Sequence, residues 1–301
     1  MTGFSVKVPS TTGNLGSGFD CVGMALGLHN TVQARETSTG LWVEIEGEGA
    51  SLVPADASNL CVKAAYAVFD RTGYRPTGLH FKLRHAIPVS RGLGSSGVAI
   101  VAGAVAANEI AGRPLDTAGL LRICSDLEGH PDNVVPSLLG GLSISGERDG
   151  VIVYRTFEIP VNLMAVVAIP EFTLDTKVAR GALPSNVSLS DAVFNLCSVG
   201  LLVGALVSGD YGLLRHGMAD RLHQPYRKPL IPGLGNVIEA ALDTGAHGAA
   251  LSGAGPTAIA LSTQNHREIG EAMVSAFAQS GVESHFRILA IDNDGTTVSP
   301  L

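Results

Sequence analysis

An α+β fold in two domains is what the sequence predicts, and three observations carry that prediction. The chain has 301 residues, long for one domain and comfortable for two. Strand-like alternation and helix-like periodicity interleave along its whole length. The last third reads strand, Gly-rich loop, strand, helix, strand, the order of an antiparallel sheet with helices on one face. Hydrophobic residues make up 46% and charged residues 16%, which excludes disorder of the chain as a whole.

The elements follow in order. Residues 4–8 and 26–34 alternate as strands, with a loop at 9–25 between them. Leu41, Val43 and Ile45 alternate with Trp42, Glu44 and Glu46, which predicts a strand over 41–47. Asp56 or Ser58 caps a helix that runs to Thr72 and stops at Gly73. A strand at 79–87 leads into a Gly/Ser loop at 91–97 and an Ala/Val-rich helix over 96–111, ended by Gly112, Arg113 and Pro114. A second helix spans Asp116 to Leu127, and strands follow at 141–145 and 150–157. Pro160 marks the change of domain, giving divisions at 1–158 and 159–301. Beyond it come an apolar strand at 162–169, a helix from Ser190 to Ser208 and shorter helices near 210–219 and 235–244. Two strands flanking a Gly-rich loop at 247–262, a helix at 266–279 and a strand at 284–291 complete the pattern.

Composition narrows the function class. The net charge of −7 and the absence of a Lys/Arg stripe give no electrostatic reason for binding nucleic acid. Cys21, Cys61, Cys124 and Cys197 are far apart and form no C-x-x-C pair, so they read as reduced thiols of a cytoplasmic protein. Residues 1–20 lack the apolar core of a secretion signal. The most apolar stretch, Leu196 to Val207, is shorter than the ~20 residues of a membrane helix, so no membrane partner is expected and a buried helix is.

The sharpest local signal is Pro88-Val89-Ser90-Arg91-Gly92-Leu93-Gly94-Ser95-Ser96-Gly97, followed at once by Val98 and a helix. Its glycines permit tight turns and close backbone approach, and the unpaired N–H groups of the first helical turn favour an anion. The same letters satisfy G-x-G-x-x-G, yet what precedes Asp116 is Gly112-Arg113-Pro114-Leu115, which is no strand, so a dinucleotide site is disfavoured. No G-K-[ST] occurs, which excludes a Walker A loop. A plain Gly/Ser turn that merely starts a helix is the alternative for this segment taken alone.

It is not alone. Pro9-Ser10-Thr11-Thr12-Gly13-Asn14-Leu15-Gly16-Ser17-Gly18-Phe19-Asp20 and Ser252-Gly253-Ala254-Gly255-Pro256-Thr257 are two further Gly-rich segments. The three in this order resemble the signature motifs of the GHMP kinases, small-molecule kinases. The resemblance covers nearly the whole chain. It implies an N-terminal ribosomal-protein-like α/β domain and a C-terminal ferredoxin-like α/β domain, with ATP and substrate in the cleft between them and a homodimer as the assembly. The third segment is expected to brace the phosphate loop without touching the phosphates.

Within that family the chain is similar to the branch that phosphorylates homoserine for threonine synthesis. Residues 13–20, Glu128-Gly129-His130-Pro131-Asp132-Asn133, Thr176-Lys177-Val178-Ala179-Arg180 and Asp220-Arg221-Leu222-His223-Gln224-Pro225-Tyr226-Arg227 carry that likeness. It implies that Arg180 and Arg227 bind the substrate carboxylate, which guanidinium groups can take bidentately. It further implies Asp20 for the ammonium and Asn14, His130 and Asp132 for other substrate contacts. Asn59 and Thr176 fall at nucleotide-contact positions, and Ser96 and Glu128 at those of an Mg²⁺ ligand pair. Asn14, Asp132, Asn133 and Arg180 form the implied catalytic set. Asn133 stands where mevalonate kinase-like members carry an Asp base. An amide cannot accept a proton, so no general base is assigned, with His130 as the fallback. Each residue has a plainer reading: Asp20 as a helix cap near Cys21, His130 and Asp132 as turn formers, Arg180 and Arg227 as surface cations, Glu128 as a solvated helix end. Two other functions stay open, a kinase for a different small alcohol and a non-catalytic sensor.

Overall fold

The computed structural model describes residues 3–301. Strands β1 (Gly3–Asn14) and β2 (Gly18–Glu36) form a long antiparallel pair with register shifts at Pro9/Ser10 and Gly13/Asn14. The loop expected at 9–25 is therefore strand for most of its length. Ser10, Thr11 and Thr12 are buried, and their hydroxyls are absorbed locally: Ser10 Oγ donates to the Leu26 carbonyl at 3.3 Å and Thr11 Oγ1 to Asn133 Oδ1 at 2.7 Å. A run of small polar residues reads as loop only until its hydrogen bonds are assigned. Because residues 18–36 are strand, no helix begins near Cys21 for Asp20 to cap.

Strand β3 (Gly40–Gly47) lies parallel to β4 (Gly78–His85), with helix α1 (Leu60–Thr72) in the crossover. The cap of α1 is Asn59, whose Oδ1 accepts from the Cys61 N–H at 2.9 Å; Asp56 instead accepts from Ser58. Helix α2 (Ser95–Ile110) is apolar all round and packs between the sheet and the neighbouring helices α1 and α3 (Thr117–Glu128), the latter capped by Asp116. A short helix α4 (Val134–Leu139) was not predicted, because Pro136 reads as a breaker. It falls in the first turn, where no intrahelical N–H is needed. Strands β5 (Leu142–Arg148) and β6 (Val151–Phe157) form a hairpin that joins the sheet through β2.

The second layer begins at β7 (Met164–Pro170) and continues through α5 (Thr176–Gly181), α6 (Leu189–Ser208), α7 (Leu214–Gly217), α8 (Gln224–Arg227) and α9 (Leu234–Asp243). Strands β8 (Gly248–Leu251) and β9 (Ala258–Ser262), helix α10 (His266–Gln279) and strand β10 (Ser284–Ala290) complete a four-stranded antiparallel sheet of order β10-β7-β9-β8, the split βαββαβ arrangement. Alternation along β7 explains its burial on both faces. Ala165, Val167 and Ile169 join the large core shared with the first sheet, while Val166 and Ala168 face Val237, Ile269, Met273 and Phe277 of α9 and α10.

Two expectations fail here. The chain ends in a strand that sequence reading missed, β11 (Thr297–Pro300), which pairs antiparallel with Phe4–Lys7 of β1 and so belongs to the first sheet. Residues 159–301 are therefore not confined to the second layer. The apolar stretch at Leu196–Val207 is not a fully buried helix either. In α6 Leu202, Ala205 and Leu206 face the core, whereas Leu189, Val193, Leu196 and Val207 face outward. By length and composition this 20-residue helix could cross a membrane, with a mean hydropathy of 1.8 over its most apolar window.

Candidate active site

The three Gly-rich segments meet at one cleft of about 1230 Å³, open mouth included, between the two layers. The Gly253 N–H donates to the Gly13 carbonyl at 3.0 Å, and Ser252 Oγ donates to the Gly92 carbonyl at 2.6 Å, which leaves it to accept from Thr12 Oγ1 at 2.9 Å. The third segment thus braces the other two. Gly92 at φ +78° has the Ser252 carbonyl and Gly255 against it, and Gly94 at φ +70° has Thr11 Oγ1, so neither site has room for a Cβ.

At one end of the cleft lies the N-terminus of α2. Its cap, Gly94, offers no side-chain hydrogen bond, and the first bond of the helical pattern runs from the Val98 N–H to the Gly94 carbonyl at 2.9 Å. The N–H groups of Ser95, Ser96 and Gly97 precede it and are left for an anion. Arg91 is directed elsewhere: its guanidinium donates to the Pro170 and Glu171 carbonyls and to the Glu171 carboxylate, tying the loop to the end of β7.

Beside that helix start, Ser96 Oγ donates to Glu128 Oε1 at 2.6 Å. Burial raises the Glu128 pKa, against the Ser96 bond and the nearby His130 and Arg180 charges, which lower it. Among the described residues no basic side chain forms an ion pair with it, and no three His, Cys, Asp or Glu side chains cluster as a metal site. One hydroxyl and one desolvated carboxylate are nonetheless a fitting donor set for Mg²⁺, which takes one or two protein oxygens alongside phosphate and water.

The other end is built from side chains. Arg180 donates through Nη1 and Nη2 to both oxygens of Asp20, at 2.9 and 2.8 Å. Arg227 is 2% exposed and among the described residues has no carboxylate partner. Burial lowers its pKa, as does the nearby Arg180 charge. The two guanidinium carbons lie 5.9 and 5.4 Å from the centroid of Phe19, so both arginines gather at one aromatic ring, Arg227 buried and Arg180 half-buried. His130 bonds Asp132 through Nδ1. Burial lowers the His130 pKa, but the hydrogen bond and charge of Asp132, together with Glu128, outweigh it and the net shift is upward. Asn133 Nδ2 donates to Asp132 Oδ1 at 3.3 Å while its Oδ1 accepts from Thr11.

Most of the residues singled out from sequence line this cleft: Asn14, Asp20, Asn59, Val89, Ser90, Arg91, Gly92, Gly94, Ser95, Ser96, Glu128, His130, Asp132, Asn133, Thr176, Arg180 and Arg227. Pro88, Leu93, Gly97 and Val98 do not; all four are buried, and Leu93 and Val98 belong to the large core. Two others line it with their amides already engaged. Asn14 donates to the Gly253 carbonyl at 2.9 Å and accepts from the Asp20 N–H at 3.0 Å, while Asn59 caps α1 and donates to the Pro54 carbonyl at 2.8 Å. Phe19 and His223 were missed as functional candidates. Both stood inside motifs already quoted, but an apolar ring and a wholly buried imidazole carry no sequence signal of proximity to Arg227.

Comparison with known proteins agrees with this geometry. Residues 59–141 match the GHMP kinases N terminal domain and residues 202–279 the GHMP kinases C terminal domain. A homoserine kinase of Moorella thermoacetica is 46% identical over 97% of this chain and 99% of that protein. The crystal structure of homoserine kinase from Cytophaga hutchinsonii superposes with a TM-score of 0.90 at 31% identity, covering 99% of this chain and 97% of that one. A mevalonate kinase structure at 15% identity and TM-score 0.72, covering 96% of this chain and 99% of that one, shares the fold. A loop of backbone amides facing two clustered arginines, in a chain similar along nearly its full length to these enzymes, establishes that the protein belongs to the GHMP kinase family and, within it, to the homoserine kinases.

Proposed function

We propose that the protein transfers the γ-phosphoryl group of ATP to the side-chain hydroxyl of L-homoserine, giving O-phospho-L-homoserine and ADP in the cytoplasmic synthesis of threonine. The observation that carries this reading is the pairing of a helix start bare of side-chain caps with two guanidinium groups over one ring, at opposite ends of one cleft.

The triphosphate lies against the N–H groups of Ser95 and Ser96, where hydrogen bonding and the helix dipole both favour negative charge. Val89, Ser90 and Thr176 flank the nucleotide, and Asn59 contributes shape and holds α1 in place. Ser96 and Glu128 would hold an Mg²⁺ ion, which supplies charge neutralisation on the phosphate oxygens. Homoserine lies at the other end, its carboxylate toward Arg227 and Arg180, its ammonium toward Asp20, with His130 and Asp132 fixing its remaining polar atoms. The hydroxyl oxygen forms a bond to the γ-phosphorus as the bond to the ADP oxygen breaks, and the hydroxyl proton passes late to an oxygen of the transferred phosphoryl group and from there to water. Asn133 cannot take that proton directly, and His130 Nδ1 is already bonded to Asp132, so positioning and charge stabilisation carry the rate, with His130 as the fallback base. Asn14 acts through the loops it joins. A homodimer belongs to the same reading, to be checked by light scattering after size exclusion.

ADP release measured over a panel of small alcohols tests the activity. Homoserine should be turned over far faster than alcohols lacking the α-amino acid group. Equal rates for mevalonate or a sugar alcohol would assign a different small alcohol, and no turnover of any would favour a sensor.

A further inference from the structure

His223 is the one fully buried histidine among the described residues, at 0% exposure, and nothing above gives it a task. Its ring stacks on Phe19 with centroids 5.2 Å apart and an interplanar angle of 24°. Nδ1 lies 3.1 Å from Arg227 Nη1, and Nε2 lies 2.7 Å from the Gly16 carbonyl. These contacts dictate the tautomer. A guanidinium has only donors, so Nδ1 must present its lone pair; a carbonyl only accepts, so Nε2 must carry the proton. Asp220, whose carboxylate stands 3.6 Å from Nε2, is already engaged by the N–H groups of Leu222, His223 and Gln224 and by Asn195.

The remaining contacts of Arg227 make the consequence specific. Nη1 also donates to the Gly253 carbonyl at 3.1 Å, and Nε donates to the Ala179 carbonyl at 3.4 Å. Among the described residues Nη2 alone has no protein acceptor, and Arg227 lines the cleft. We infer that His223 is a positioning residue: as the Nε2–H imidazole it links the turn at Gly16 to Arg227 and holds the guanidinium so that Nη2 is presented to a carboxylate in the cleft. The inference rests on the substrate reading above for the identity of that carboxylate, but not for the tautomer. Burial and the adjacent Arg227 charge favour the neutral ring, against the Asp220 charge, the Gly16 hydrogen bond and the Asp20 charge, with a net downward shift.

Asn places its amide where Nδ1 stands in His, and Gln where Nε2 stands, so the two substitutions separate the two contacts. His223→Asn should keep the KM for homoserine within about threefold of wild type, because its carbonyl can still accept from Arg227. His223→Gln keeps a donor for Gly16 but loses that acceptor, and should raise the KM for homoserine about tenfold. In both, kcat and the KM for ATP should change less than about threefold. Rescue by Gln with loss in Asn, or equal rises in both KM values, would mean the ring merely fills space or anchors Gly16, and the inference falls. Should neither variant fold, two-bond ¹H–¹⁵N spectra of the wild-type protein decide. A stacked imidazole in the Nε2–H form at pH 7 is expected, with a signal that shifts on adding homoserine; only Nδ1–H or doubly protonated signals among the buried rings would overturn it. Failure of homoserine to bind wild type would sink the substrate reading while leaving the tautomer result standing.

Discussion

The two ends of the cleft are built on opposite plans. The phosphate end is backbone: glycines at positive φ, a helix start without a side-chain cap, and braces that run from one main chain to another through Ser252 and Thr12. The amino-acid end is side chain: Asp20 against Arg180, His223 against Arg227, His130 against Asp132. Backbone amides accept any phosphate of the right shape and survive most side-chain substitutions, whereas guanidinium and carboxylate groups choose a ligand by its charges and can be removed one at a time. On the proposed reading, the difference separates a part that grips phosphate in general from a part that selects one substrate.

The largest effect belongs to the junction of the two ends. Glu128→Ala should lower kcat on the order of a thousandfold, because several kcal/mol of charge stabilisation at the transferring phosphoryl group goes with it. Circular dichroism should remain that of the wild type, and a near-normal rate at ordinary Mg²⁺ would remove Glu128 from the metal site. Next comes Arg227→Ala, expected to cost about a hundredfold in kcat/KM for homoserine, in line with ~2–3 kcal/mol for a charge-assisted hydrogen bond. The KM for ATP should stay within about threefold; parallel rises would erase the distinction between the ends. Gly94→Ala should act the other way round. Strain at positive φ of about 1 kcal/mol and the crowding of Thr11 should raise the KM for ATP roughly tenfold and leave that for homoserine alone. The smallest effect concerns pH. His130 has a raised pKa in the folded protein, so its pairing with Asp132 stabilises the fold fully below the unfolded value near 6.5 and fades as pH rises through the folded value. Chemical denaturation should find His130→Gln more destabilised relative to wild type at pH 6 than at pH 9, and a penalty independent of pH would contradict that coupling.

Sequence reading located the Gly/Ser loop and the helix that follows it, although Pro88, Leu93, Gly97 and Val98 of that segment do not line the cleft. Glycine spacing before a helix is a local property, and the helix duly starts at Ser95. Helices such as α3 and α10 were equally legible, since their caps and periodicity lie within a few residues of one another. The amino-acid end was legible only as a list of residues. That Asp20 and Arg180, 160 positions apart, are satisfied by one another could not be read from either neighbourhood. Nor could the partner of β11, because hydrogen bonds between distant segments leave no periodicity in the chain, whereas the Asn59 cap is a local bond that was passed over for the neighbouring Asp56 and Ser58.

That last strand has a consequence for how the molecule is made. Without residues 297–300, β1 presents an open row of amides and carbonyls along Phe4–Lys7, so the first layer is finished only by a segment nearly 300 residues away in sequence. The closing stitch is cut from the opposite end of the cloth, and shortening the chain by its final five residues should leave a protein prone to edge-to-edge association even though every residue lining the cleft is retained.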